Sequence, residues 1–222
     1  SLSLPPFNYV VINFLTFSLF YIFLVKKIEF YKNKKIFFLY GWLFGFGYFV
    51  SNLYWISISL TFDQNFKFLI PLTIILIPGF LALFYALVAY LFVVLKPKEN
   101  LSSFFLFSLI FGIVEFLRGS ILTGFPWNLI AYSFYNQIEI LNITSIIGTY
   151  SFNLFCISLF TSPSIFILRE NKKDISICIA FLVTTMSFYI LGSQNLEKFN
   201  NQQLKKLDYK IRILSSNIGI DR

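Results

Sequence analysis

The chain has 222 residues, of which 57% are hydrophobic, 21% aromatic and 13% charged. A soluble domain would carry about 25% charged residues, and here the apolar excess lies in long blocks, so the composition excludes a soluble globular fold. It indicates an all-α, polytopic transmembrane helical bundle of about six spanning helices. The net charge of +8 sits in short clusters between apolar runs, where membrane proteins keep the residues that set orientation, and not in a stripe suited to nucleic acid. Histidine is absent, which removes the usual general base, the His-dependent nucleophile systems and most zinc sites, so neither a metal nor a cofactor is expected. Cys156 and Cys178 both lie inside apolar runs, where a thiol is inert packing material.

Leu2 to Phe7 carries Pro5-Pro6 and predicts an extended lead-in, because the residue before a proline is pushed out of the helical region. A first span is expected over Phe7 to Val25, followed by the strongest basic loop, with Lys26, Lys27, Lys32, Lys34 and Lys35 against Glu29. A second span runs from Ile36 to Leu60. Within it Gly41 and Gly45 form a small-xxx-small pair suited to close helix approach, and Tyr54 and Trp55 fall near its far end, at interface depth. The third, Phe68 to Leu95, is longer than the about 20 residues that a span requires, and Pro71, Pro78 and Gly79 suggest a kink or tilt. The fourth runs from Leu101 to Arg118.

The stretch from Glu115 to Asn128 reads EFLRGSILTGFPWN. Glu115 and Arg118 stand three apart, on one helix face, and charges at membrane depth are costly enough to need a reason. They can neutralise each other, and Arg118 can also meet a lipid phosphate or order the loop that follows. Thr123, Gly124, Phe125, Pro126 and Trp127 then offer a hydroxyl, a permissive backbone and the free N–H groups of a short helix expected to begin near Pro126, a combination suited to an anionic head group. The 119–141 segment is too broken to span and too apolar for a solvated loop, so a re-entrant or interface-lying segment is expected. A fifth span follows over Asn142 to Leu168, which would put Asn142, Ser145, Thr149 and Asn153 on one helix face. A sixth covers Ile175 to Leu191.

The chain divides into a transmembrane domain over 1–192, a polar linker over 193–208, and a terminal piece over 209–222. Apolar residues at 209, 211 and 213 in that piece predict a short strand, which needs partners to be stable. Because the chain opens with Ser1 and stops after this strand, it reads as a fragment of a longer protein. Loops 26–35, 96–100 and 169–174 hold five, two and three Lys/Arg, whereas loops 61–67 and 118–141 hold one each. The positive-inside rule therefore puts the 119–141 segment and the C-terminal tail together on the outer side.

Glu-x-Leu-Arg-Gly at 115–119 and Leu-Thr-Gly-Phe-Pro-Trp-Asn at 122–128 resemble the membrane half of bacterial apolipoprotein N-acyltransferases. Pro5-Pro6-Phe7, Gly45-Phe46-Gly47 through Tyr54-Trp55, and Gly148 to Phe152 are similar to the same family in the same order, and Ile211 to Ile218 resembles the first strand of its nitrilase-like domain. The resemblance implies a multi-pass enzyme of the bacterial inner membrane. It would move an acyl chain from a phospholipid donor to the N-terminal diacylglyceryl-cysteine of an apolipoprotein, acting as a monomer with the 119–141 segment on the periplasmic side. It also implies a catalytic Glu–Lys–Cys triad downstream of this chain, so that no catalytic residue lies within it and the fragment alone is inactive. Substrate contacts would then come from Tyr54, Trp55, Glu115, Arg118, Thr123, Gly124, Phe125, Pro126 and Trp127. Two other readings remain at this point: a membrane domain serving a polyprenyl-phosphate sugar transferase, and a small transporter. A transporter would predict paired ionisable groups at helix centres and internal repeat symmetry, and the sequence carries neither.

Overall fold

The computed structural model describes residues 2–5, 7–121, 124–169, 171–202 and 212. Among these the protein is a helical bundle in which six helical stretches are long and apolar enough to cross a membrane. The spanning helices are α1 (Val11–Ile28), α2 (Ile36–Leu53), α3 (Ile70–Leu95), α4 (Asn100–Ser120), α7 (Thr149–Ile167) and α8 (Lys172–Asn200), with the short α5 (Ile138–Leu141) and α6 (Thr144–Ile147) between α4 and α7. They occur in the order the apolar blocks predict. The strand expected over 209–218 lies outside the described residues, apart from Arg212.

Helices α2 and α3 pack along most of their length, and small residues make this possible. A Cβ on Gly41 would stand 2.5 Å from the Tyr85 carbonyl and 2.7 Å from the Ala89 Cβ, and one on Gly45 would stand 2.8 Å from the Tyr85 Cβ. The two glycines therefore admit the α3 backbone itself, which gains dispersion contacts where lipid supplies no hydrophobic driving force. At the other side of the bundle α7 is the most enclosed helix, with 61% of its span buried, packed on α1, α4 and α8. It tolerates Pro163 because the Leu159 carbonyl, deprived of its amide partner, accepts from Ser162 Oγ at 2.8 Å. Phenylalanine and tyrosine rings join the two halves: Tyr85 meets Phe111 at 4.8 Å, and Phe17 meets Phe111 at 5.5 Å. Helix α8 is peripheral, with 6% of its span buried.

Four expectations are corrected. The run 142–168 is not one helix. The chain turns at Gly148, where φ is +82° and ψ 160°, a conformation that is essentially glycine's alone. Asn142 and Ser145 therefore do not share a face with Thr149 and Asn153; Asn142 Oδ1 accepts from Asn195 of α8 at 2.8 Å instead. The second span ends as an α-helix at Leu53 and continues as a 3-10 run, Tyr54–Thr61, which releases Tyr54 and Trp55 from the bundle face. The expected helix start near Pro126 is displaced to a 3-10 helix, Ile130–Phe134. Helix α8 also runs on to Asn200, into the polar stretch that composition assigned to a linker.

Candidate functional site

Everything at the α4 end of the bundle is arranged about one ion pair. Arg118 Nη2 donates to Glu115 Oε2 at 2.7 Å and Nε to Oε1 at 3.1 Å, a two-point pair. Glu115 is 0% and Arg118 1% exposed, so both charges are out of reach of water and lipid alike. The guanidinium lies over the Phe49 ring, 5.3 Å from its centre. Its Nη1 donates to the Phe125 carbonyl at 2.7 Å and to the Trp127 carbonyl at 3.0 Å. A buried charge is tolerable when paired and fully hydrogen-bonded, and here the loop supplies what the carboxylate cannot.

The loop is clamped from both sides. Its backbone returns to α4 through Phe125 N–H, which donates to the Arg118 carbonyl at 3.0 Å. Gly124 makes this reversal at φ +78°, where a Cβ would run into the Gly119 carbonyl. From α2, the Tyr48 hydroxyl donates to the Asn128 carbonyl at 2.7 Å, and Asn128 itself sits at φ +59°. Next, the Ala131 N–H donates to Asn153 Oδ1 at 2.9 Å, so α7 takes up an amide of the first turn of the 3-10 helix that would otherwise face an anion. Leu129, Ile130, Ala131 and Phe134 are buried. The segment thus folds into the protein.

This clamp fixes Trp127 with its ring outward. Trp127 is 54% exposed, stacks on Trp55 at 5.4 Å between centres, and has Phe125 behind it at 6.3 Å. Tyr54, Trp55 and Trp127 line one cleft of about 450 Å³ with Leu4, Pro5, Ser51, Asn52, Asn128 and Tyr132. Pro126 lies beside it, in a smaller hollow with Trp127 and Tyr132. Burial pushes the Tyr132 phenol up, so at neutral pH it offers a hydroxyl. Of the residues singled out in the sequence, the structure gathers Tyr54, Trp55, Pro126 and Trp127 at the surface. It buries Glu115 and Arg118 beneath them, and leaves Phe125 and Gly124 as the hinge between the two. Thr123 lies outside the described residues. Tyr48, Phe49, Asn128, Tyr132 and Asn153 were not singled out for this site. Asn128 and Tyr132 had a signal, as the end of the 122–128 motif and as a ring in the broken apolar segment, and so did Asn153, as a polar residue in an apolar helix; Tyr48 and Phe49 had none. Among the described residues no three metal-ligating side chains converge.

Comparison with known proteins identifies the family. Residues 1–161 match the family model described as the apolipoprotein N-acyltransferase N-terminal domain. A protein named apolipoprotein N-acyltransferase from Rhizobium etli (strain CIAT 652) is 32% identical over 179 residues, covering 78% of this chain and 33% of its own length. Its namesake from Rhodopseudomonas palustris is 35% identical over 170 residues, covering 75% of this chain and 31% of its own length. That of Brucella melitensis biotype 1 is 38% identical over 126 residues, covering 56% and 24%. The chain therefore spans about a third of the length of the first two relatives.

Proposed function

Since this chain belongs to the apolipoprotein N-acyltransferase N-terminal domain family, we propose that it is the membrane domain of such an enzyme and handles lipid for it. The full-length protein would transfer a fatty acyl chain from a phospholipid to the N-terminal diacylglyceryl-cysteine of a lipoprotein. The observation that carries the reading is the aromatic cleft, held open at one end of a bundle by a loop that a buried Arg118 clamps. Indole and phenol rings are suited to head-group depth, where one edge is apolar and the other wet. Arg118 and Glu115 would act through the loop, as positioning residues, and Tyr54, Trp55, Pro126 and Trp127 would meet lipid directly.

The Glu–Lys–Cys triad implied by the family resemblance would come from outside this chain. Cys156 is fully buried among helices, and Cys178 Sγ donates to the Ser162 carbonyl at 3.1 Å on the α7–α8 contact, so neither is presented to the cleft. The distribution of Lys and Arg between loops supports a periplasmic cleft in a bacterial inner membrane.

The test is turnover and melting measured on the same purified full-length variants. Trp127→Ala and Trp55→Ala each remove an exposed ring, so melting should stay within a few degrees of the parent, while acyl transfer slows on the order of tenfold, about 1.4 kcal/mol. Normal turnover in both variants would sink the substrate-contact role.

A further inference from the structure

A second cleft lies beside the first and differs from it in character. Helix α1 packs on α7 and α2 on α3, and what bridges α1 and α2 is a ladder of rings. From the basic loop upward, Phe23 meets Tyr40 at 4.9 Å, Phe20 stacks on Phe44 at 4.0 Å, and Phe17 meets Phe44 edge-on at 5.9 Å. The stripe Tyr40, Phe44 continues by helical spacing to Gly47, Tyr48 and Ser51. At Gly47 the ladder has no rung.

The result is a cleft of about 280 Å³ lined by Ile12, Asn13, Thr16, Phe17, Phe44 and Gly47, together with Leu2, Tyr48 and Ser51. Two observations indicate that it is built to hold something. A Cβ at Gly47 would meet nothing within 4 Å, so no contact inside the protein requires the missing side chain, although glycine weakens a helix. Asn13 is 2% exposed, lines the cleft, and its side-chain Nδ2 has no hydrogen-bond partner within the protein. Buried amide donors are almost always satisfied, so this one calls for an acceptor, and it stands in the wall of a mostly apolar cleft.

The position defines the acceptor. Asn13 lies in the first turn of α1, and Ser51 lines both this cleft and the aromatic one. Tyr48, on the wall, is the residue that holds the Trp127 loop. An occupant with its polar end among the rings would have its first apolar segment here, and the group at that junction in a membrane lipid is an ester carbonyl. We propose that the cleft between α1 and α2 seats one ester-linked acyl chain of a membrane phospholipid, with Asn13 donating to the ester carbonyl and Gly47 leaving room for the chain. This deepens the lipid-handling reading given above and rests on it.

Photolabelling of the full-length protein in nanodiscs tests this directly, using phosphatidylethanolamine with a diazirine on one acyl chain. Peptides holding Ile12 to Phe17 and Phe44 to Ser51 should label about tenfold above the lipid-facing α8 peptide around Met186. Gly47→Phe, whose ring enters open space, should reduce cleft labelling to the α8 level. Thr16→Phe does the same from the opposite wall and serves if the first variant fails to fold. Asn13→Leu should lower labelling severalfold, and Gly47→Ala should leave it intact. Even labelling of cleft and α8, or cleft labelling that survives both phenylalanine variants, overturns the proposal. So does displacement of the label by an excess of diacylglyceryl lipopeptide but not by unlabelled phospholipid, which would assign the cleft to the acceptor. Because the readout is binding, a protein that labels in the cleft yet transfers no acyl chain keeps this proposal and fails the acyltransferase reading.

Discussion

Removing the Arg118 side chain would leave Glu115 as an unpaired carboxylate at a fully buried position and would release two loop carbonyls. Breaking a buried pair from one side costs about 3–5 kcal/mol, so Arg118→Ala should lose much of its folded yield and melt many degrees lower. Arg118→Lys keeps the charge but not the fork that reaches Glu115 and the loop together, and should fall between the two. The double variant Glu115→Leu/Arg118→Leu removes both charges, and should melt higher than Arg118→Ala while still losing turnover through a loosened Trp127 loop. A melting order in which the double variant is the worst would refute this account of the pair. The electrostatics was legible in the sequence as two charges one turn apart. Its completion by the Phe125 and Trp127 carbonyls was not, because a backbone acceptor carries no residue-type signal.

Among the elements, the α2–α3 contact and the α6–α7 turn make opposite uses of glycine. Gly41 and Gly45 are small because another backbone passes against them, so Gly41→Val should separate the helices and destabilise the fold by about 1–3 kcal/mol through overpacking. Gly148 has nothing within 4 Å, so Gly148→Ala meets no neighbour and should still cost about 1–3 kcal/mol from its backbone angles alone. Thermal unfolding in detergent measures both, and an unchanged midpoint for Gly148→Ala would count against the turn as described. The first pair could be read from spacing. The break at 148 could not, since the flanking residues are apolar on both sides and single glycines are ordinary inside membrane helices.

For the whole molecule, the six spans were legible because each apolar block reaches the about 20 residues a bilayer requires, and their contacts were not, because rings of one type face lipid and core alike. Phe17 is 1% exposed, whereas Phe68 is 75% exposed, with nothing in residue type to separate them. Orientation gives a further prediction. In full-length protein with every native cysteine, Cys156 and Cys178 included, replaced by serine, a cysteine at Ser120 or Asn201 should react with an impermeant reagent in intact cells, and one at Asn33 or Asn171 should not. Labelling at Asn33 from outside would invert the arrangement.

The clamp on Arg118 also imposes an order in time. Its guanidinium belongs to α4, but two of its acceptors lie downstream, at Phe125 and Trp127, and the hydroxyl that holds the same loop, on Tyr48, lies far upstream. During synthesis α4 reaches the bilayer before its charge is fully satisfied, and charged residues in a spanning helix raise the insertion cost, by less in the last turns where Glu115 and Arg118 lie than the about 2.5–3.5 kcal/mol of a helix centre. Nascent chains stalled after Ser120 should therefore commit α4 to the membrane less efficiently than chains extended through Phe134, as read by glycosylation mapping. The same comparison in Glu115→Leu/Arg118→Leu should show no gap. Equal insertion of the two parent lengths would mean that the loop is a late ornament on a helix already settled; a gap would mean that the segment carrying Trp127 completes the helix that carries it.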